Sequence, residues 1–266
     1  MPNNPLLLMV QITCADDHLD AFNTWYNSHL PNLLRIPGLT WAQRYINLEK
    51  SEPGATRFTA LYGIRDAEDF PSLLDRTGSS EFHPIAASEF GAFSQLDGIS
   101  GHVANVYEQI NGSPLRAPLL ESDRPLSIIT AGGDPEHETE WDNWYTESHV
   151  PNLLKIPGYV MARRFRVLEH PALAGFNSAP KYLAIYEVEN EDVLPTLRPG
   201  AAMHPAARAE LDRWVSYGGI HARDFGWGFY CLIQSTLSGR SDNPLLRQLS
   251  LMLIRPYARL LKSSQA

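Results

Sequence analysis

The sequence lacks the motifs that mark several common classes of enzyme. It has no glycine-rich phosphate loop, no Gly-x-Ser-x-Gly nucleophile motif, and no His-x-x-x-His or Cys-x-x-Cys metal motif. Its two cysteines, Cys14 and Cys231, fall at unrelated places, so we interpret them as free thiols in a reducing compartment. We therefore expect no nucleotide cofactor and no tightly bound metal.

Basic residues and long apolar runs are also scarce. Lysine and arginine number 22 against 30 acidic residues, which gives a net charge of −8 and argues against nucleic acid as a partner. The apolar run Leu6–Val10 is too short for a signal peptide or a membrane span, and no basic region precedes it. These features predict a soluble cytoplasmic protein that binds neither membrane nor nucleic acid.

What the sequence does contain is one segment that occurs twice, as Trp25–Gly38 and as Trp144–Gly158. From His29 and His149 onward the two copies keep the same spacing, 120 positions apart, and both end in Ile-Pro-Gly. Chance does not produce such a match, so the chain is an internal duplication. Each unit of this length can bury a core of its own.

Hydrophobic periodicity around each copy predicts the element order βαββαβ, which is the ferredoxin-like pattern. Each unit then has a four-stranded sheet with one uncovered face, and two units in one chain can cover each other sheet to sheet. We therefore predict an α+β fold of two ferredoxin-like repeats, 1–112 and 126–236, that form an intramolecular α+β barrel. A linker, 113–125, with three prolines and two serines, joins them, and a helical extension, 237–266, follows.

The duplicated segment begins on a helix. Leu19, Phe22, Tyr26, His29 and Leu33 recur at helical spacing, so these side chains are predicted to share one face. Pro31 has no amide hydrogen to donate, and a kink or restart of the helix is expected just after His29.

The pattern Trp-Tyr-x-x-x-His-x-Pro-x-Leu-x-x-x-Pro-Gly within a βαββαβ unit resembles the dimeric α+β barrel superfamily, and within it the EthD-like proteins. Trp144–Gly158 fits this pattern fully. In the first copy Trp25 lies four residues before His29 rather than five, so the aromatic pair is expected to face differently in the two halves. The superfamily holds cofactor-independent monooxygenases, cyclases, lactone isomerases, dehydratases and some haem enzymes. The resemblance thus implies a small-molecule enzyme without naming its reaction.

His29 and His149 are the first candidates for chemistry. A neutral imidazole in an apolar cavity suits general acid or base catalysis near neutral pH. The alternative, equally weighted, is that each histidine bonds a backbone carbonyl freed by the following proline. Tyr26 and Tyr145 lie within reach of these histidines and could donate a hydrogen bond to a developing oxyanion, although core packing is the commoner role of such tyrosines.

Arg44 and Arg164 lie at matching positions, 120 apart, on the predicted second strands. They would bind a carboxylate or phenolate of a substrate, or pair with Glu49 and Glu169, and the ion pair is favoured. The neighbouring Arg163 and Arg166 indicate partial exposure to solvent.

Further histidines are of second rank. His83 and His204 each precede a proline and are predicted to cap helices. At an offset of 121, His102 aligns with Arg223 and His221 aligns with Ser100, and such differences between equivalent strands can mark a divergent site; Asp224 belongs to the same group. The candidate substrate-binding residues are Trp25, Trp144, Arg44, Arg164, His102, His221 and Arg223.

Together these features predict a cofactor-independent lyase or isomerase. Histidine acid/base catalysis would act on a small, hydrophobic, oxygenated and aromatic substrate, since six Trp, eleven Tyr and ten Phe can line a pocket for a flat molecule. The alternatives are a cofactor-free monooxygenase, a haem protein with a histidine ligand, and a non-catalytic binding or assembly module. The extension 237–266 is expected to pack on the barrel or on a second subunit, which makes a homodimer an open prediction.

Overall fold

The computed structural model describes residues 6–48, 53–67, 69, 83–113, 124–173 and 175–235. Eight antiparallel strands in these residues close into one barrel. The strands are β1 (Leu6–Ala15), β2 (Leu39–Asn47), β3 (Ala55–Ile64), β4 (Ile99–Gly112), β5 (Leu126–Gly133), β6 (Tyr159–Val167), β7 (Tyr182–Val188) and β8 (Ala222–Ser235).

Helices connect the strands of each half. They are α1 (Leu19–Leu33), α2 (Pro84–Phe93), α3 (Glu138–Trp144), α4 (Val150–Leu153), α5 (Leu194–Leu197), α6 (Pro205–Arg213) and α7 (Gly219–His221). Two π-turns, Tyr145–His149 and Trp214–Gly218, interrupt the helices of the second half, and 3₁₀ turns span Asp16–His18, Pro171–Leu173 and Glu191–Val193.

Each half has the strand order of a ferredoxin-like unit. The barrel runs β4-β1-β3-β2 through the first half and β8-β5-β7-β6 through the second. The halves join at two seams, where β2 pairs with β8 and β4 pairs with β6. The predicted α+β barrel of two ferredoxin-like repeats is therefore confirmed.

Alternation along the strands places one set of side chains inside the barrel and the other under the helices. On β1, Leu7 and Met9 pack inside the barrel with residues of both halves, such as Leu61 of the first and Leu183 of the second. Leu8 on the same strand packs in a separate cluster with α1. The interior core is thus shared, whereas each half has its own core between helices and sheet.

The starts of α2 and α6 confirm the capping prediction. Each begins with a proline, whose missing amide hydrogen costs nothing in the first turn. The preceding histidine accepts a hydrogen bond through Nδ1, from the amide of Ile85 to His83 and from the amide of Ala206 to His204, at 3.2 and 3.1 Å.

The expected restart of the helix after His29 is wrong, because α1 continues through Pro31 to Leu33. Proline removes one hydrogen bond from the helix. The Leu34 amide still bonds to the Leu30 carbonyl at 3.2 Å, and the buried face of α1 holds the helix on the sheet.

Some predictions fall outside the described residues. They concern the extension 237–266, most of the linker, and Glu49. Across the part of the chain that the structure covers, no helix is both long and apolar enough to cross a membrane. Cys14 and Cys231 are both free thiols, as predicted.

Candidate functional site

In the first half, His29 faces the sheet from α1 and is bound by a carboxylate from α2. Its Nδ1 lies 2.8 Å from Glu89 Oε2, and only 8% of the residue is exposed. The second carboxylate oxygen accepts a hydrogen bond from Asn32 Nδ2 at 2.7 Å. The predicted alternative of a backbone carbonyl partner is therefore wrong for this histidine.

The second half repeats the pair with different surroundings. His149 Nδ1 lies 2.7 Å from Glu210 Oε1 on α6, and His149 is 7% exposed. Glu210 Oε2 has Arg213 Nη1 at 3.7 Å. A carboxylate bound to Nδ1 fixes the tautomer, because the Nδ1–H donates to it and leaves the lone pair on Nε2.

The π-turn accounts for the extra residue in the second copy of the duplicated segment. The amide of Val150 bonds to the carbonyl of Tyr145, five residues earlier. A π-turn takes one residue more than an α-turn, so five residues cover the rotation that four cover in α1.

The aromatic partners of the histidines consequently face the same way in both halves, and the prediction that they differ is wrong. Trp25 stacks on His29 with ring centroids 4.0 Å apart at 27°, and Trp144 stacks on His149 at 5.1 Å and 19°.

The two candidate tyrosines lie at the bottom of the helix layer, each beside a second tyrosine. Tyr186 Oη donates to Tyr145 Oη at 3.2 Å, and Tyr62 makes the corresponding bond with Tyr26. The Tyr145 ring meets the His149 ring edge to face at 4.7 Å. The repeated tyrosine and the repeated histidine are thus neighbours.

The candidate arginines lie beneath these tyrosines and are buried. The Arg44 guanidinium is 4.0 Å from the centre of the Tyr26 ring, and the Arg164 guanidinium is 4.3 Å from that of Tyr145. Such cation–π contacts are strong where water is excluded.

The ionic partner of Arg164 differs from the predicted one. Arg164 Nη2 lies 2.6 Å from Asp142 Oδ1, and Nη1 donates to Thr146 Oγ1, so the predicted pairing with Glu169 is wrong. The predicted partial exposure is wrong for Arg164 and Arg163, which are 1% and 8% exposed, whereas Arg166 is exposed. Helix α3 covers Arg164 from above, which the strand pattern alone does not reveal.

Burial sets the protonation states around the histidines. It lowers the pKa of His29 and of His149, and the neighbouring glutamates offset this only in part. The hydrogen bond from His29 lowers the pKa of Glu89 in spite of its burial. Burial raises the pKa of Tyr145. Near neutral pH both imidazoles are therefore neutral and Tyr145 keeps its proton.

A pocket lies between helices and sheet in each half. The first has an empty volume of about 620 Å³ and is lined by His29, Tyr26, Tyr62, Trp25 and His102 among mostly apolar groups. The second has about 780 Å³, counted out to its solvent mouth. Its aromatic and ionisable lining is Tyr145, His149, Tyr159, Glu210, Trp214, Phe225 and Trp227.

Strand pairing corrects the alignment of β4 with β8. Tyr62 pairs with Leu8, whose other partner is Val106, whereas Tyr186 pairs with Ser127, whose other partner is Phe229. The offset on the last strands is thus 123 rather than 121. The second π-turn and α7 take up the additional residues.

His102 is therefore equivalent to Phe225 rather than to Arg223. His102 lines the first pocket, with its ring 5.4 Å from that of Phe93. The residues that line the second pocket do not include His221, Arg223 or Asp224. Arg223 instead bonds to Asp134 at 2.7 Å.

Glu89 and Glu210 are not among the candidate residues predicted from the sequence. The signal was present, because each follows its capping histidine, His83 or His204, by six residues. A carboxylate repeated at this offset on the second helix could have been paired with the repeated histidine on the first.

Comparisons with known proteins find one partial family match and several structures with the same fold. A family model described as "Domain of unknown function (DUF4286)" matches residues 128–209, from β5 into α6. No curated protein matches the chain. Several solved structures share the fold, with 9–11% identity in the three described next.

An anthrone oxidase-like protein has a TM-score of 0.61 at 11% identity, over 88% of this chain and 94% of its own. A candidate monooxygenase from Fusobacterium nucleatum subsp. nucleatum has a TM-score of 0.57 at 9% identity, over 90% and 97%. A candidate chlorite dismutase has a TM-score of 0.50 at 10% identity, over 86% and 95%. These likenesses support the fold, an α+β barrel with two ferredoxin-like halves in a single chain. Identity this low says nothing of the chemistry.

Proposed function

We propose that the protein is a cofactor-independent lyase or isomerase that removes a proton from a small, oxygenated aromatic substrate. The observation that carries this proposal is the buried His149–Glu210 pair at the wall of an apolar pocket of about 780 Å³. A mostly apolar, aromatic lining with a few convergent polar groups suits a small molecule.

His149 is suited to the role of general base. Its imidazole is neutral near pH 7, and the bond from Nδ1 to Glu210 leaves the Nε2 lone pair for a substrate proton. When Nε2 takes that proton, the carboxylate 2.7 Å away stabilises the imidazolium cation. The same group then returns the proton to another atom of the substrate, which completes an isomerisation or assists an elimination.

Tyr145 is suited to stabilising the enolate or phenolate that forms. It keeps its proton because burial raises its pKa, and its oxygen accepts the bond from Tyr186, which polarises its own O–H. Arg164 lies against the ring of Tyr145 and adds positive charge. Trp214, Phe225 and Trp227 line the same pocket and offer flat apolar surfaces to an aromatic substrate.

The second half is the better candidate for the reaction. In the first half both oxygens of Glu89 are occupied, by His29 and by Asn32. In the second half the far oxygen of Glu210 has Arg213 at 3.7 Å, and the pocket is larger. We propose His29, Tyr26 and Arg44 as a second, matching set for a smaller ligand.

A second candidate function is a cofactor-free monooxygenase. Two structures of the same fold are described as a candidate monooxygenase and as anthrone oxidase-like. The first step would be the same proton removal by His149. The carbanion would then react with molecular oxygen, converting a methylene to a carbonyl with release of one water per oxygen molecule.

A haem protein is the less favoured functional hypothesis. The Nε2 atom of His149 has the chemistry of an iron ligand, but the described lining of its pocket contains neither lysine nor arginine to pair with propionates. Membership of the EthD-like group rests on the Trp-Tyr…His…Pro-Gly pattern and remains a proposal. Free thiols support a reducing compartment such as the cytoplasm, and a homodimer through 237–266 also remains a proposal.

The test is a turnover screen of phenols, aromatic ketones and anthrone-like compounds, with product analysis and an oxygen electrode. We expect proton exchange or product formation that the His29→Ala/His149→Ala double variant loses. Oxygen uptake matched to turnover would select the monooxygenase, and a Soret band in the purified protein would select the haem alternative. Full turnover by a folded double variant would contradict histidine catalysis in either form.

A further inference from the structure

Three ligand-type side chains meet at the edge of the second half, outside both pockets. Asp134 follows β5, His137 precedes α3, and His221 ends α7. One possible ligand atom from each lies within 4.8 Å of the other two. The sequence separates His221 from the other two by more than 80 residues, so no spacing motif announces the cluster.

The backbone fixes the relative positions of these residues. The Asp134 amide donates to the His221 carbonyl at 2.8 Å, and the His137 amide donates to the Asp134 carbonyl at 2.9 Å. The two imidazole rings are 4.5 Å apart between centroids. A metal site needs such support, because ligands on mobile segments lose affinity when they are ordered.

One ring nitrogen of each histidine in the cluster, Nδ1, lacks a good partner among the described groups. Among the described groups, the buried Nδ1 atoms of His137 and His221 have no hydrogen bond of normal geometry. The nearest charged atom to His137 Nδ1 is Asp134 Oδ2, at 3.5 Å. Lone pairs of this kind, next to a carboxylate, are what a borderline-soft cation binds.

The first half shows that the cluster is particular to the second half. There the Ala15 amide donates to the Gly98 carbonyl at 2.8 Å, the same bond that joins Asp134 to His221. Ala15 and Gly98 therefore occupy the equivalent positions. His18, directly before α1, is equivalent to His137.

The first half also has no room for the missing ligand. A Cβ atom at Gly98 would lie 2.5 Å from His18 Cδ2. Only one of the three ligands is thus present there, and His18 is a natural control for His137.

We propose that Asp134, His137 and His221 bind one divalent transition-metal ion, with Zn²⁺ as the probe. Two imidazoles and one carboxylate provide three ligands, and water completes the coordination. Arg223 Nη2 donates to Asp134 Oδ2 at 2.7 Å and orients the carboxylate. Its charge also opposes a cation, which makes the site weaker than a fully closed structural zinc site.

The ion would tie the start of α3 to the end of α7, which directly follows the second π-turn. Tyr217 of that turn lies 5.0 Å from Trp144 and 5.1 Å from His221 between ring centroids. Trp144 in turn stacks on His149. Metal binding therefore stabilises the helix layer behind the second pocket and requires no catalytic role for the ion.

The experiment is calorimetric titration of the chelator-stripped full chain with Zn²⁺, supported by Co²⁺ absorption and thermal unfolding. We expect one ion per chain and a rise in Tm with Zn²⁺. Asp134→Ala and His221→Ala should each weaken binding at least tenfold, whereas His18→Ala should bind as the wild type does.

Unfolding of each variant in chelator separates loss of the ligand from loss of the fold. Because all three ligands are partly exposed, the variants should keep the Tm of the metal-free wild type. Absence of stoichiometric binding to the wild type would overturn the proposal. So would equal binding by Asp134→Ala and His221→Ala, or an equal loss in His18→Ala.

Discussion

The two halves share a histidine, a glutamate, a tyrosine pair and an arginine, yet the helix layer differs between them. In the first half α1 is a regular helix, and the pocket is about 620 Å³. In the second half two π-turns interrupt the helices, and the pocket is about 780 Å³. The conserved pairs show what the duplicated unit requires, and the π-turns show where one copy has changed. π-Turns are frequent at functional sites, which favours the second half as the reactive one.

The largest expected effect separates the two histidines by activity. His149→Ala should lower kcat by about 10²–10⁴-fold, because general base catalysis contributes roughly that much. His29→Ala, the matched change, should alter kcat less than about tenfold on the same scale. Steady-state kinetics on the best substrate of the screen measures both. Equal losses would mean that the halves act as two equivalent sites.

The next effect concerns stability and the cover over Arg164. Asp142→Ala leaves this buried guanidinium without its carboxylate, which should cost about 3 kcal/mol in the free energy of unfolding. The equivalent residue in the first half is Asn23, and Asn23→Ala should cost less than about 0.5 kcal/mol. Urea denaturation followed by circular dichroism gives both values. Similar values would show that the arginine is held by the aromatic rings in both halves.

Replacing the two carboxylates should also affect kcat more in the second half than in the first, but by a smaller factor than replacing the two histidines. Glu210→Gln should lower kcat by about tenfold to a hundredfold, since it removes the group that stabilises the imidazolium. Glu210 also raises the pKa of His149, so its loss lowers that pKa further. The acid limb of the kcat/KM profile should therefore move to lower pH. Glu89→Gln is the control, and an unmoved limb in Glu210→Gln would contradict the assignment.

The smallest effect tests the mouths of the pockets. His102 of the first half is equivalent to Phe225 of the second. The variant Phe225→His therefore gives the second pocket the residue that the first pocket has at this position. Because Phe225 is 50% exposed, we expect a loss in affinity for an aromatic ligand of only about threefold. The reciprocal variant, His102→Phe, should tighten binding in the first pocket by a similar factor. Fluorescence titration measures both, and no change in either would remove these residues from ligand binding.

Much of the fold could be predicted because duplication doubles every local signal. The element order βαββαβ was predicted from periodicity in each half, and the barrel has four strands from each half. The two helix starts at Pro84 and Pro205 were predicted from proline chemistry, which is local. Periodicity of two and of 3.6 residues is also local, and the sheet-to-sheet packing follows from the uncovered face of each unit.

The site could be predicted only in part, because its partners come from distant elements. His149 was identified, but Glu210 was not, since nothing local joins residues on two helices 61 positions apart. The partner of Arg164 was wrong because α3 lies over the strand, and a strand pattern carries no information on what covers it. The π-turn was not predicted for a different reason. An extra residue in a helix is expected to rotate the side chains before it to another face, and only the hydrogen bonds of the π-turn show that they keep the same face.

The two seams of the barrel have a consequence for how the protein is made. At one seam Asn47 of β2 pairs with Tyr230 of β8, so this contact cannot form until β8 has left the ribosome. Before its partners are made, the first half presents two unpaired strand edges, β4 until β6 has emerged and β2 until β8 has emerged. Such edges pair readily with other chains. Barrel closure is therefore a late, long-range event, and slow folding with transient association between nascent chains is expected.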